Sequence, residues 1–338
     1  MQVYEVQEAF GLDHLKLTER PDPKPGRRQV VVAVKAASIN YRDLMMVQGS
    51  YNPKLKLPFV PLSDGMGEVV AVGDAVTRAA VGDRVAVAFF EDWIARPVPP
   101  DRRLHRVARG GPVDGMLTKM AVVSEEAVTP APSNLTNAEV ATLPCAALTA
   151  WSALVSQGEV GPGQWVVVQG TGGVSLFALQ FAKKLGARVI VTSSSEEKLA
   201  RARSLGADHG INYKTTPDWG KAVAKHTTHG ADHVLEVGGA GTLQQSLVAV
   251  RPGGHISVIG VLSGVKSDLN VVPILMNNIR LQGVHVGSRT EFEAMNRAIE
   301  QQNLKPVVDR IFPFEDAPRA FRYVEEAKHF GKVCISME

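Results

Sequence analysis

Hydrophobic and polar positions follow two rhythms along this chain. Up to about residue 132 the apolar positions come in short runs rich in β-branched residues, Gln29 to Ser38, Gly67 to Val72, Asp83 to Ala88 and Leu117 to Val123, divided by glycine, proline and aspartate turns. Short strands divided in this way predict a small β-barrel. The stretch Phe89 to Gly115 has no regular pattern and is rich in Pro, Arg and Gly, so it reads as a surface loop beside a cleft. From about Asn134 the rhythm changes to apolar strands alternating with amphipathic helices, the pattern of an α/β, doubly wound parallel sheet.

Gln164 to Lys198 organises that second part. Trp165 to Gln169 is an apolar run suited to a strand buried on both faces. Gly170, Thr171, Gly172 and Gly173 follow, then Val174, Leu176, Phe177, Leu179, Phe181 and Leu185 at helical spacing, then a second strand from Arg188 to Thr192. Strand, glycine turn, helix and strand within about 30 residues is the order of a dinucleotide-binding unit. The glycines let bare backbone approach a phosphate, and the first N–H groups of the helix face the anion. The third glycine of the usual pattern is replaced by Ser175.

Further strands are expected at His209 to Asn212, His233 to Val237, His255 to Ile259 and Leu281 to Val286, with helices over Asp218 to His226 and Thr242 to Val250. Gly238 and Gly239, then Gly260, Val261 and Leu262, then Val286, Gly287 and Ser288 stand at strand ends. An open sheet binds its ligand there, so they are expected along the cofactor, although a glycine that starts a loop explains each one singly. The tail adds a helix (Phe292 to Gln302), a strand (Pro306 to Phe314), a helix (Ala317 to Lys328) and a strand (Lys332 to Ser336). Another helix–strand pair would overextend a six-stranded sheet, so the tail should rejoin the first domain and leave a cleft between the two.

The end of the second strand bears on the choice of nucleotide. NAD sites usually place an acid about 20 residues past the first glycine, on the ribose hydroxyls. Here Thr192, Ser193, Ser194 and Ser195 stand there, followed by Lys198. Hydroxyls and an ammonium suit a 2′-phosphate, which a carboxylate would repel, so NADPH is expected. Glu196 and Glu197 fit as first-turn acids of the next helix, with Ser193 or Ser194 as its cap, and that reading also accounts for the serines.

A length of 338 residues allows two domains, each with its own core. The net charge of +3 is spread over both signs, with no basic block pointing to nucleic acid or membrane. Only Cys145 and Cys334 occur, which argues against a disulfide scaffold and a four-thiolate zinc site and suits a reducing cytoplasm. MQVYEVQEAF lacks the features of a signal peptide, and no run is long enough to span a bilayer, so a cytoplasmic protein is expected. His226, His229 and His233 read as scattered surface imidazoles, since no acidic or thiol partner lies near them in sequence.

Five segments carry a family likeness over nearly the whole chain: VPLSDGMGEVVAVGDAVTRAAVGDRVAV, LPCAALTAW, VVVQGTGGVSLFALQFAKKLGA, ARSLGADHGINY and GKVCI. Together they resemble the medium-chain dehydrogenase/reductases, most closely the zinc-free, quinone oxidoreductase-like branch, often described loosely as alcohol dehydrogenase-like. The resemblance implies a GroES-like β-barrel catalytic domain (residues 1–133 and 287–338) and a Rossmann NADP-binding domain (residues 134–286). It implies a homodimer paired through the last Rossmann strand, about Asn278 to Val286. It puts Thr149 against the nicotinamide, Lys198 and Tyr213 on the 2′-phosphate, and Lys332 facing the phosphates.

Zinc-dependent members need a Cys, a His-Glu pair and a further Cys or His. Those positions hold Asn40, Ser63 with Asp64, and Cys145, and no cysteine occurs between Phe89 and Leu117, so no zinc is expected. Without a metal, a conjugated acceptor suits hydride transfer, because its developing charge rests on an oxygen that a hydrogen-bond donor can meet. By family position Asn40 is that donor and Tyr51 an aromatic hydroxyl that orients the substrate or passes a proton, with Arg42 and Trp93 as further pocket residues. Asn40 also reads as a cap for a helix beginning near Tyr41. The expected activity is zinc-independent, NADPH-dependent reduction of a quinone or α,β-unsaturated carbonyl, a small-molecule substrate. Alternatives are an enoyl-thioester reductase, with Arg96, Arg102, Arg103, Arg106 and Arg109 on a phosphorylated carrier, an alcohol dehydrogenase-type carbonyl reductase, or a non-catalytic NADPH-binding redox sensor.

Overall fold

The computed structural model describes residues 1–100 and 103–338, with only the main chain of residues 103 and 105. Two compact units account for the chain: Met1–Leu148 with Gly287–Glu338, and Thr149–Val286. In chain order the first contributes β1 (Gln2–Val6), β2 (Leu15–Glu19), β3 (Gln29–Ile39), α1 (Tyr41–Val47), β4 (Asp64–Val72), β5 (Arg84–Val87), β6 (Met120–Ser124), β7 (Val128–Pro130) and α2 (Asn137–Ala141). A short helix, α3 (Leu148–Trp151), flanked by wide π-type turns, runs across the division. The second unit holds β8 (Trp165–Gln169), α4 (Gly173–Lys184), β9 (Arg188–Ser193), α5 (Glu196–Ser204), β10 (His209–Asn212), α6 (Trp219–Thr227), β11 (Ala231–Glu236), α7 (Leu243–Ala249), β12 (Val250–Val258), α8 (Val272–Met276) and β13 (Arg280–Gly283). The chain then returns to the first unit with α9 (Arg289–Gln301), β14 (Val308–Pro313), α10 (Ala317–Glu325) and β15 (Lys332–Ser336).

The first unit is a GroES-like, mostly antiparallel sheet of seven strands in the order β14-β15-β3-β4-β5-β7, with β6 also on β3, beside a β1–β2 hairpin. Its centre is β3, where Val30, Val32, Val34, Ala37 and Ile39 join Leu62, Met116, Leu117, Phe314, Phe321 and Ile335 in one core. The tail rejoins this sheet through β15, which runs antiparallel to β3 with Val333 opposite Ile39. That pairing sets Lys332 beside Asn40.

The second unit is a six-stranded, all-parallel sheet in the order β10-β9-β8-β11-β12-β13. Consecutive strands run outward from β8 in one direction and then, after the chain crosses back, from β11 in the other. The strand order therefore reverses between β8 and β11, the kind of place where open α/β sheets bind ligands. Val167, Ile190, Val234, Leu247 and Ile256 pack its core with Trp219 and Val223 of α6.

Four expectations need correction. The second unit begins at Thr149, not at residue 134, because α2 packs on β3, β4 and β15 of the first sheet. Phe89 to Gly115 is only in part a surface loop: Ala95 to Val98 are exposed, whereas Phe89, Phe90, Trp93, Leu104 and Arg109 are buried within the first unit. His233 is not a surface imidazole. It is 5% exposed, its ring meets His255 edge-on at 5.1 Å, and burial pushes its pKa down to about 4. The serine that caps α5 is Ser195, whose hydroxyl accepts from the Lys198 N–H at 3.3 Å, rather than Ser193 or Ser194.

Candidate functional site

In the first unit, a ring of polar groups surrounds Asn40, the half-buried residue between the end of β3 and the start of α1. Its N–H donates to Asp43 Oδ2 at 2.8 Å, one half of a capping box, so the cap role read from sequence is real. The side chain does something else as well. Lys332 Nζ donates to the Ile39 carbonyl at 2.8 Å and to Asn40 Oδ1 at 2.5 Å. Asn40 Nδ2 donates to Ser63 Oγ at 3.2 Å, and Ser63 Oγ donates to Asp64 Oδ1 at 2.9 Å. Asp64 Oδ2 lies 3.9 Å from Lys332 Nζ and accepts the Cys145 N–H at 3.3 Å. The ring is closed and runs in one direction, from ammonium through amide and hydroxyl to carboxylate.

The two acids of this region are buried. Asp64 has no exposed surface, and burial raises its pKa to about 6 against the lowering pull of Lys332. Burial likewise raises Asp43, opposed by Arg42 and Lys332. Burial, and next the charge of Asp64, raise the pKa of the Cys145 thiol. Burial pushes Cys334, on β15, up to about 12.

Tyr51 is 49% exposed, with the Arg42 guanidinium 5.4 Å from its ring centroid and 4.9 Å from that of Phe89. Arg42 is anchored by the Arg109 carbonyl at 2.8 Å and so holds both rings. Trp93 is 3% exposed and donates to the Ala95 carbonyl, a core residue of its loop. Arg109, 1% exposed, pairs with Glu91 at 2.5 Å, and Arg96 pairs with Glu291 at 3.3 Å. Arg106 is exposed. Arg102 and the side chain of Arg103 lie outside the described residues.

In the second unit, the turn from Gly170 to Val174 joins β8 to α4. Gly170 has φ +72, and a side chain at Gly170 or Gly172 would point into open space. Bare backbone therefore borders a cradle at the start of α4, where the N–H groups of the first turn have no partner within the helix. Thr171 is buried and Val174 half-buried. Ser175, in place of a third glycine, donates to the Gln169 carbonyl at 2.7 Å and ties helix to strand. These residues fit a dinucleotide pyrophosphate.

The other expected nucleotide contacts cluster where β9 and β10 end. The Tyr213 N–H donates to the Ser193 carbonyl at 3.1 Å, Ser193 Oγ accepts from the Ser195 N–H at 3.3 Å, and Lys198 stands in the first turn of α5. Ser194 is half-buried. Asn212 donates to Glu196 at 2.8 Å, which draws that acid toward the end of β10. Thr149 is 4% exposed on α3.

Sequence reasoning missed the network at the β8–β11 reversal. Glu236, at the end of β11, has no exposed surface. It accepts from the Gly238 and Gly239 N–H groups, Thr242 Oγ1, Ser246 Oγ and Gln169 Nε2 at 2.5–2.8 Å. An acid closing an apolar strand just before two glycines was the available signal. The Gly238 N–H, expected along the cofactor, is taken by this carboxylate, and a side chain at Gly260 would strike the Val237 carbonyl at 2.4 Å. Val261 and Leu262 are exposed beyond β12.

Val286 is buried with φ +56, an outlier for a β-branched residue, where the second unit ends. Gly287 packs on Leu148. The Ser288 hydroxyl caps α9, accepting from the Glu291 N–H at 3.4 Å and donating to the Glu291 carboxylate at 2.7 Å. Lys332, implied at the phosphates, is 3% exposed with its ammonium turned into the ring around Asn40.

Comparison with known proteins adds the following. Residues 26–133 match the alcohol dehydrogenase GroES-like domain, and residues 173–301 match the zinc-binding dehydrogenase family. A zinc-type alcohol dehydrogenase-like protein of Schizosaccharomyces pombe is 44% identical over 341 residues, covering 98% of this chain and 97% of its own. The solved structure of an NAD-dependent alcohol dehydrogenase is 34% identical with a TM-score of 0.91 and covers 100% of both chains. That of the 2-octenoyl-CoA carboxylase reductase CinF, in complex with NADP and 2-octenoyl-CoA, is 25% identical with a TM-score of 0.88, over 99% of this chain and 87% of its own.

The zinc in those names finds no fitting donors here. A zinc site gathers thiolates, imidazoles and carboxylates around the ion. Among the described residues no three His, Cys, Asp or Glu side chains are so gathered. At the positions that the family resemblance sets against zinc ligands, an amide, a hydroxyl and a carboxylate are joined to an ammonium, which repels a second cation.

Proposed function

Because the chain belongs to the medium-chain dehydrogenase/reductase superfamily, in its alcohol dehydrogenase-like branch, we propose that it is a zinc-independent, NADPH-dependent oxidoreductase that reduces a quinone or an α,β-unsaturated carbonyl. The observation that carries this reading is the ring around Asn40, which supplies an oriented hydrogen-bond donor beside a buried ammonium where zinc-dependent relatives need metal ligands.

NADPH, when bound, supplies the hydride. Gly170 to Val174 would hold its pyrophosphate, and Ser193, Ser194, Lys198 and Tyr213 its 2′-phosphate. Addition of hydride to the electrophilic carbon sends an electron pair onto the substrate oxygen. The Asn40 Nδ2 group, which donates to Ser63 Oγ within the ring, would meet that oxygen. Tyr51, its ring held by Arg42, passes the proton that completes reduction. Conjugation spreads the charge, so no Lewis acid is required. An alcohol substrate would need its alkoxide stabilised, and an amide does that poorly.

The likeness to a reductase holding 2-octenoyl-CoA favours a second reading, an enoyl-thioester substrate. Against it, Arg96 and Arg109 are engaged by Glu291 and Glu91 instead of facing a phosphorylated carrier.

For assembly we propose a homodimer through β13. Its four residues are exposed along a sheet edge, and Val265, Val271, Val272, Leu275 and Met276 nearby in sequence are 56–79% exposed. The free thiols Cys145 and Cys334 accord with the cytoplasm, and no helix among the described residues is long and apolar enough to cross a membrane.

The test is NADPH consumption with 1,4-benzoquinone and with a short enone, beside the same assays with NADH. Turnover that prefers NADPH supports the reading. Tight NADPH binding without turnover would favour a redox sensor, and turnover confined to enoyl thioesters would favour the second substrate class.

A further inference from the structure

We propose that Lys332 is a positioning residue that sets the orientation of the Asn40 amide and so makes Nδ2 the donor of the pocket. This rests on the reading of Asn40 as the donor to the substrate oxygen. An ammonium has three donors and no acceptor, so only Oδ1 of the amide can face it. Lys332 Nζ is fixed by the Ile39 carbonyl and lies 3.9 Å from Asp64, and it presents a second hydrogen to Asn40 at 2.5 Å. Nδ2 must then point the other way. There it meets Ser63 Oγ, which is free to accept because its own proton goes to Asp64.

Without the ammonium, the two ends of the amide would be nearly equivalent in shape, and a flipped Asn40 would offer a carbonyl oxygen to a substrate oxygen that needs a donor. The placement of Lys332 depends on long-range pairing. Asn40 and Lys332 lie 292 residues apart, and the antiparallel register of β15 on β3 brings them together. With 3% of its surface exposed, the lysine serves this ring and not solvent.

The experiment uses full-length protein with ¹⁵N-labelled asparagine, in which the Asn40 side-chain NH₂ pair is assigned by its absence in Asn40→Ala. In the wild-type protein the pair should be protected from solvent exchange, and in Lys332→Met exchange should be at least about tenfold faster. Lys332→Met should also lower kcat about tenfold or more, with the Kd for NADPH unchanged. Adding Asn40→Ala to Lys332→Met should cost little beyond Asn40→Ala alone, because both changes remove the same donor.

Since Lys332→Met leaves Asp64 buried without a cation, the charge-balanced pair Lys332→Met with Asp64→Asn keeps the test open should the single variant not fold. Unchanged exchange of the Asn40 amide in either variant would overturn the proposal. So would a weaker Kd for NADPH with kcat intact, which is the behaviour of a phosphate contact. Turnover untouched by Asn40→Ala would instead overturn the donor reading on which the proposal rests, and the amide exchange distinguishes the two failures.

Discussion

Two carboxylates without exposed surface, Asp64 in the first unit and Glu236 in the second, are satisfied in opposite ways. Glu236 faces five neutral donors, two from backbone and three from side chains, which fasten the end of β11 to Gln169 of β8 and to α7. Asp64 accepts from one hydroxyl and one backbone N–H, and shares the field of Lys332 with Asp43. A carboxylate enclosed by neutral dipoles is a rivet: it fixes the ends of β8 and β11 to each other and to α7. A carboxylate linked to a cation through an amide and a hydroxyl is balanced by one charge rather than by many dipoles and titrates at about 6. The second unit is thus built to hold, and the first to respond.

The largest effect should come from breaking the rivet. Glu236→Leu strands several buried donors at once and is expected to cost about 4 kcal/mol in denaturant unfolding. A loss below about 1 kcal/mol would mean that those donors find other partners. Next comes the responsive side, where Asn40→Ala should lower kcat about 100-fold and remove about 1 kcal/mol of helix-cap stability. Steady-state rates beside a melting curve separate the two consequences.

Titration of Asp64 gives the third test. Its pKa rises from the ordinary 3.8 to about 6 on folding, through burial and the nearby Asp43, against the opposing Lys332. The folded protein therefore holds the proton more tightly than the unfolded chain. The stability that this confers is fully present below the unfolded value and is lost as pH rises through about 6, by about 3 kcal/mol. Urea unfolding across that window should show the slope in the wild-type protein and lose it in Asp64→Asn. Smallest is the binding side: Lys198→Ala should raise KM for NADPH about tenfold and leave that for NADH unchanged. A change in kcat instead would blur the division of labour between the two units.

The Rossmann half was largely legible in sequence because parallel strands buried on both faces are continuous apolar runs. β8 and β10 carry the residues expected of them, as does the tail strand β15 in the first unit. The first unit was harder. β1 and β2 are short and partly polar, and β7 has three residues, so none rose above its surroundings. Phe89 to Gly115 looked like a solvated loop because it lacks a regular pattern and is rich in Pro, Arg and Gly, yet Phe89, Phe90 and Trp93 are buried and Arg109 is neutralised by Glu91.

Asn40 was found by position in a familiar pattern, and its cap by the helix after it. Its partner was hidden. The family resemblance had put Lys332 at the cofactor phosphates, and nothing short of the β15–β3 register says that its ammonium turns to Asn40 instead. The Glu236 network escaped for a similar reason, since Gln169 lies 67 residues before it and only sheet order makes them neighbours.

The central claim is that Lys332, Asn40, Ser63 and Asp64 do their work without a metal. The most direct measurement is turnover of NADPH and 1,4-benzoquinone by the full-length protein after exhaustive dialysis against a strong chelator, beside the untreated protein. The account predicts equal rates. Activity lost on dialysis and restored by stoichiometric zinc would contradict it, and would mean that Asp64 and Cys145 close on a metal and the ammonium withdraws.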